Sequence, residues 1–179
     1  MMTFILNLQP EWLDDDITKL MPLDEHHFEA LYQVASDPLI WTQHPIKDRY
    51  KKEVFQVFFD DAIRAQSSFV IIDKKSNAII GTTRYYDCHP EKSSLAIGYT
   101  FIARQFWGGV YNLSSKKLLI NYAFQHVNSI FFHIGADNLR SQKAILKLGA
   151  RKTKAMMVCH NNINLPHFEY ELKKTDFIF

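Results

Sequence analysis

The chain has 179 residues, 47% of them hydrophobic and 22% charged, with a formal net charge of +2; that length fits one domain whose fold buries roughly 70% of the surface the unfolded chain exposes, and the composition excludes a disordered chain. Basic residues are scattered apart from short pairs such as Lys51-Lys52 and Lys116-Lys117, which is not the footprint of a nucleic-acid binder. No run approaches the ~20 apolar residues of a membrane span, residues 1–8 read as ordinary N-terminal structure rather than a leader, and Cys88 and Cys159 form no metal-ligand spacing, so a reducing, cytoplasmic setting with no membrane attachment is expected.

In chain order, residues 17–23 read as a first strand. Asp24 then stands as the N-cap of a helix that carries Phe28, Leu31, Tyr32 and Ala35 at helical spacing. Asp37-Pro38 ends that helix. Residues 41–45 form an aromatic, His-containing loop before a second helix, with Val54, Phe55, Phe58, Phe59 and Ile63 on its apolar side. The segments 68–73 and 78–87 flank a polar turn and predict a hairpin, and 94–102 is a third extended segment. A period of two places Leu95, Ile97, Tyr99 and Phe101 on one face of it, and Ala96, Gly98 and Thr100 on the other.

A glycine-containing turn, Gly108-Gly109, follows, and then a helix over about 112–126. Such a turn frees backbone N–H groups at a helix N-terminus, where the dipole also favours anions, so it is a candidate phosphate cradle for an anionic cofactor; the plain alternative is a tight turn. Residues 129–136 return as a strand, and the helix between it and the previous strand predicts a parallel crossover. Asn138 caps the next helix, with Ser141, Ala144, Ile145 and Leu148 at i, i+3, i+4 and i+7 and Gly149 at its end. Strands near 151–159 and 168–173 close the order β-α-α-β-β-β-α-β-α-β-β, an α/β chain built on a mixed sheet flanked by helices.

At these residues the chain resembles the GCN5-related N-acetyltransferases, and more narrowly their ribosomal-protein-alanine acetyltransferase branch. The resemblance covers nearly the whole chain. It lies in the order of elements, the Ile97-Gly98-Tyr99-Thr100 strand, the loop from Arg104 to Asn112, the segment Asn138-Leu139-Arg140-Ser141, and Leu146-Lys147-Leu148-Gly149-Ala150. It implies a single acyl-CoA N-acyltransferase domain over 1–179 that passes the acetyl group of acetyl-CoA to a primary amine, of a protein N-terminus or a small molecule, by direct attack in a ternary complex.

The family's pyrophosphate loop falls on Gln105, Gly108 and Val110, where Val110 departs from the usual Gly or Ala. Membership implies that N–H groups of Gly108, Gly109, Val110 and Tyr111 bind the coenzyme A pyrophosphate, that Tyr99, Thr100, Phe101 and Ile102 offer main-chain pairing to the pantetheine arm, and that Asn138 holds the arm from the other side. Arg104 borders the loop and is read as a phosphate partner. Ser141 matches the hydroxyl that protonates the leaving thiolate, its alternative being a small core-facing residue.

Members often carry a Glu just before Ile-Gly-Tyr, and this chain has Ala96 there. Asp87, His89 and Glu91 precede the strand, and His89, near neutral pH in its ordinary titration, is the candidate base. His133 alternates with Phe132 and Ile134 and reads as a hydrogen-bonded strand residue. Trp41 and His44 either line an acceptor pocket or pack, and His26-His27 has no third ligand for a metal. Ala96 and Val110 also admit a catalytically weak acyl-CoA-binding module or sensor, and the many aromatics a non-enzymatic interaction protein on the same fold. Exposed strands or the C-terminal hairpin offer a route to a homodimer.

Overall fold

The computed structural model describes residues 6–160 and 162–177; of the segment 1–8 read as N-terminal structure, residues 1–5 lie outside them. The strands are β1 (Leu13–Asp14), β2 (Thr18–Pro22), β3 (Ser68–Asp73), β4 (Ile79–His89), β5 (Ser94–Ile102), β6 (Ser129–Gly135), β7 (Arg151–His160) and β8 (Ile163–Lys173). The helices are α1 (Phe28–Ala35), α2 (Lys52–Ala65), α3 (Tyr111–Ala123) and α4 (Leu139–Leu146). The expected order is therefore present, with short β1 added and β8 starting five residues earlier than the apolar pattern indicated.

The strands form one sheet in the order β1-β2-β3-β4-β5-β6-β8-β7. Every neighbouring pair is antiparallel except β5 and β6, joined through α3 as a parallel crossover requires. Helices cover both faces because both are apolar. Leu31 and Ala35 of α1 and Phe55, Phe58 and Phe59 of α2 pack on one side with Val70 and Phe101. Leu119, Ile120 and Ala123 of α3 and Ile145 of α4 pack on the other with Leu95, Ile97 and Ile130. Asp24 and Asn138 cap as read, accepting from the N–H groups of His26 at 2.8 Å and Ser141 at 3.2 Å. No helix among the described residues is long and apolar enough to cross a membrane.

One expectation fails in a way that shapes the site. Leu95, Ile97, Tyr99 and Phe101 do not share a face. Thr82 pairs with Phe101 but Arg84 pairs with Gly98, so Thr83 alone stands opposite Tyr99 and Thr100, and Tyr99 takes a left-handed φ of +52°. This is a β-bulge, and one extra residue reverses the alternation beyond it. Leu95, Ile97 and Ile102 belong to the α3/α4 core, whereas Phe101 belongs to the α1/α2 core.

A second irregularity lies between β5 and β6. They pair only through Ser94/Ser129, Leu95/Ile130 and Ala96/Phe131. Residues 97–102 of β5 and 132–135 of β6 run on without pairing each other, so two parallel strands part toward their carboxyl ends. In open α/β sheets ligands enter at such a place.

Candidate active site

The parted strands lead directly into α3 and α4. At the start of α3, N-cap Val110 supplies no capping side chain, which leaves the first helical N–H groups to solvent or a ligand. Gly108 holds φ at +72°, and a Cβ added at Gly108 or Gly109 would meet nothing within 4 Å, so the space over the loop is open. The Val110 side chain is 51% exposed and points away from the core, so its departure from the family pattern lies at the surface. An uncapped helix N-terminus behind an open glycine turn fits an anionic pyrophosphate.

Across the mouth, Asn138 caps α4. Arg140 in the first turn lays its guanidinium 3.6 Å over the Trp107 ring, tying α4 to the glycine loop. Its N–H also reaches Gln43 Oε1 at 3.3 Å, which draws in the α1–α2 connection. Arg140 was part of the motif read from the sequence, but its contact with Trp107 joins residues distant in the chain and had no local signal. Ser141 lies in the same turn, half-buried, and its hydroxyl makes no hydrogen bond among the described residues.

Three residues of the expected cofactor set have other partners. Arg104 is ion-paired through Nε with Asp37, so its charge is already matched. The Ile102 carbonyl accepts the Trp107 indole N–H at 2.7 Å. The Phe101 side chain is core, packed on Trp41, Phe55 and Phe58, which leaves its main chain for any pairing. Gln105 is exposed and, with Ala103 and Arg104, borders a cleft of about 730 Å³ against α1. That cleft abuts the loop but lies outside the parted strands, where the titratable groups gather. Tyr111 begins α3, and burial first, with the Asp73 carboxylate next, raises its phenol above the usual range.

Thr100 sits in the bulge and is held from the α3 side. Lys116 Nζ lies 2.5 Å from Thr100 Oγ1 and 3.4 Å from Thr83 Oγ1, and the two threonine hydroxyls are 2.8 Å apart. Burial without a carboxylate partner pushes the Lys116 amine down to about 7. On a helix surface read from sequence, Lys116 looks like a solvated charge.

The opposite side of the bulge carries the groups suited to proton transfer. Tyr86 of β4 packs against Gly98, where a Cβ would come within 2.8 Å of the ring, and edge-on to Tyr99 with centroids 5.2 Å apart. Its hydroxyl is 2.9 Å from His133 Nδ1, and His133 Nε2 is 3.1 Å from Glu169 Oε2. Burial opposes ionisation of Glu169, yet hydrogen bonds from Thr153, His133 and Lys154 outweigh it and hold the carboxyl below its ordinary value. A carboxylate only accepts, so His133 donates from Nε2 and Nδ1 accepts the Tyr86 hydroxyl. Burial first, and the neighbouring Tyr99 next, raise the Tyr86 phenol far above its usual range.

His89, the base expected from sequence, is elsewhere. It pairs with Ser94, at the end where β5 and β6 are still bonded, and its Nδ1 lies 3.3 Å from Glu91 on an exposed turn. The parting of the strands begins beyond Ala96, so the fold does not bring His89 to it. Trp41 also resolves toward packing, 2% exposed with its indole N–H on the Ala35 carbonyl at 2.8 Å.

The acetyltransferase (GNAT) domain profile matches residues 18–151. No curated protein matches the chain by sequence. Solved structures share its fold. A GCN5-related N-acetyltransferase from Brucella melitensis superposes with a TM-score of 0.81 at 16% identity, covering 94% of this chain and 82% of that one. The GNAT-family acetyltransferase from Bacillus anthracis gives 0.76 at 15%, covering 92% and 99%. RimJ of Mycobacterium smegmatis, in complex with CoA-disulfide, gives 0.70 at 15%, covering 88% and 82%. With a profile spanning most of its length and solved structures of that family sharing its fold, the chain belongs to the GNAT acetyltransferase family.

Proposed function

We propose that the chain transfers the acetyl group of acetyl-CoA to a primary amine by direct attack in a ternary complex. The observation that carries this reading is the parting of β5 and β6 beyond Ala96 and Phe131, with the uncapped N-terminus of α3 on one side and Asn138 on the other. Acetyl-CoA supplies an activated acyl group on a thiolate that can leave. The N–H groups of Gly108 to Tyr111 would hold the pyrophosphate, the main chain around Tyr99 to Phe101 would orient the pantetheine arm, and Asn138 would close on it from α4. Positioning of this kind supplies much of the rate in acyl transfer.

The attacking nitrogen must lose a proton. Tyr86 stands at the bulge with its hydroxyl proton directed to His133, so the phenol oxygen accepts from the amine as its own proton passes to Nδ1. Glu169 stabilises the imidazolium that results. Ser141 gives a proton to the departing thiolate. The acceptor is a small amine or, as the resemblance to the ribosomal-protein-alanine acetyltransferase branch favours, the terminal amine of a protein.

Thermal unfolding with saturating acetyl-CoA tests the cofactor site without knowledge of the acceptor. At a hundred times its dissociation constant the ligand is expected to add ~2.7 kcal/mol, with a matching rise in Tm. Gly108→Val places a β-branched residue at a positive φ within the cradle, and Asn138→Ala removes the cap; each is expected to diminish the shift. A shift with no thiol release on any amine would instead favour an acyl-CoA-binding module. A well-folded sample with no shift would overturn the reading.

A further inference from the structure

Beside the Tyr86 relay, the acceptor side of the bulge holds two buried guanidinium groups for which the described residues provide no carboxylate partner. Arg49, 7% exposed, is enclosed by aromatic rings, with Cζ 4.6 Å over Phe58 and 5.3 Å over Trp41. Its one side-chain hydrogen bond among the described residues runs from NH1 to His44 Nε2 at 3.2 Å. A guanidinium only donates, so Nε2 is the acceptor in that contact, while Nδ1 faces both the Ile46 N–H, which donates to it at 2.9 Å, and the Ile46 carbonyl at 3.2 Å. Arg84, 8% exposed, lies 3.4 Å over the Tyr99 ring, and its Nε is buried with no hydrogen-bond partner among the described residues.

Burial first, and the Arg84 charge among the other causes, bring Arg49 down to about 10. Burial and Arg49 together hold His44 near 3, so it remains neutral and adds no charge of its own. His160 and His167 of the β7–β8 hairpin stack at 5.5 Å nearby, and the same burial and charges lower His160. The acid that reaches Arg49, Asp48, has its ion pair with Lys51 at 3.9 Å.

Burying one guanidinium without a counter-ion is costly, and burying two together more so, unless a ligand brings the missing negative charge. We propose that Arg49 and Arg84 form an anion clamp for the acceptor, so that the amine this chain acetylates carries a carboxylate or phosphate close to its nitrogen. The clamp meets the relay at Tyr99, whose ring touches Arg84 on one face and Tyr86 at its edge. An anion held by the arginines thus leaves the amine at the Tyr86 oxygen. The inference rests on the acetyl-transfer reading and names the chemistry of its acceptor.

Matched pairs of amines, offered to the full chain saturated with acetyl-CoA while free thiol is followed, test it. The pairs are amino acids against their carboxamides, phosphoethanolamine against ethanolamine, and peptides with aspartate at the second position against asparagine, which separates a free carboxylate, a phosphate and an acidic protein terminus. The anionic member of one pair or more is expected to react at least about tenfold faster in kcat/KM, as loss of a charge-assisted bond implies. Arg84→Met and Arg49→Met should erase that preference, and Arg84→Lys should keep part of it. Equal rates within every pair overturn the clamp and leave acetyl transfer standing, whereas failure of acetyl-CoA to raise Tm strikes the transfer reading. Calorimetric titration of N-acetylaspartate against its uncharged diamide decides the clamp without turnover or cofactor, and no preference for the dianion there overturns it.

Discussion

Replacing His133 with alanine is expected to lower kcat about a hundredfold, the contribution typical of a positioned acid–base group, while the rise in Tm caused by acetyl-CoA stays as in the parent. His133 touches neither the glycine loop nor α4; its two ring nitrogens are engaged by Tyr86 and Glu169. Removing it strands the Tyr86 proton, so the phenol oxygen loses its capacity to accept from the amine. A purely structural role would lower stability at all pH values and leave the shape of the rate profile intact. The relay instead predicts that the shape of kcat against pH changes in His133→Ala. Tyr86→Phe should give a loss of the same order, and His89→Ala should leave turnover unchanged because His89 sits at the bonded end of β5. A His133→Ala enzyme with unchanged kcat, or His89→Ala with a large loss, would overturn the assignment.

Lys116→Met is expected to raise stability at neutral pH by about 4 kcal/mol, since a lysine forced down to about 7 by burial carries that much unfavourable charge energy. Methionine has a similar length and no charge to desolvate. Thr100 loses one neighbour but keeps Thr83 at 2.8 Å and the Gly98 carbonyl at 3.2 Å. The sign follows from linkage. Below about pH 7 the amine is protonated in both folded and unfolded chains and the full penalty applies. Between about 7 and 10.5 the unfolded chain still binds the proton and the folded chain does not, so parent stability climbs with pH. The gain from Lys116→Met, read by urea unfolding along a pH series, should therefore be greatest below pH 7 and vanish toward 10.5. A gain that is flat with pH would mean that packing rather than charge sets it.

Much of the architecture was legible because it rests on local pattern. Helical spacing at Phe28, Leu31 and Ala35 and at Leu119 and Ala123, the caps Asp24 and Asn138, and the turn at Gly108 are decisions each segment makes from its own residues. The helix between residues 102 and 129 fixed the parallel sense of β5 and β6 for the same reason, since no short turn can return a chain to the same end of a sheet. The glycine loop and the asparagine-capped helix were found as a pair, and they lie on the two sides of the parting.

Tertiary structure decided the rest. Nothing in Ile97-Gly98-Tyr99-Thr100 announces that Tyr99 is left-handed; the register against Thr83 imposes it, and with it the reversal of Phe101 to the other core. The hydrogen-bonded series of Tyr86, His133 and Glu169, proposed above as the proton relay in place of His89, comes from β4, β6 and β8, strands that only sheet order brings together. Lys116, Arg49 and Arg84 look like ordinary surface charges in a sequence, and it is burial, a property of the folded whole, that turns one into a poorly ionised amine and the other two into cations with no ion pair among the described residues. Local chemistry thus set the elements and the glycine loop, while the depth and neighbours of charged side chains, which depend on long-range packing, set the surroundings of the bulge.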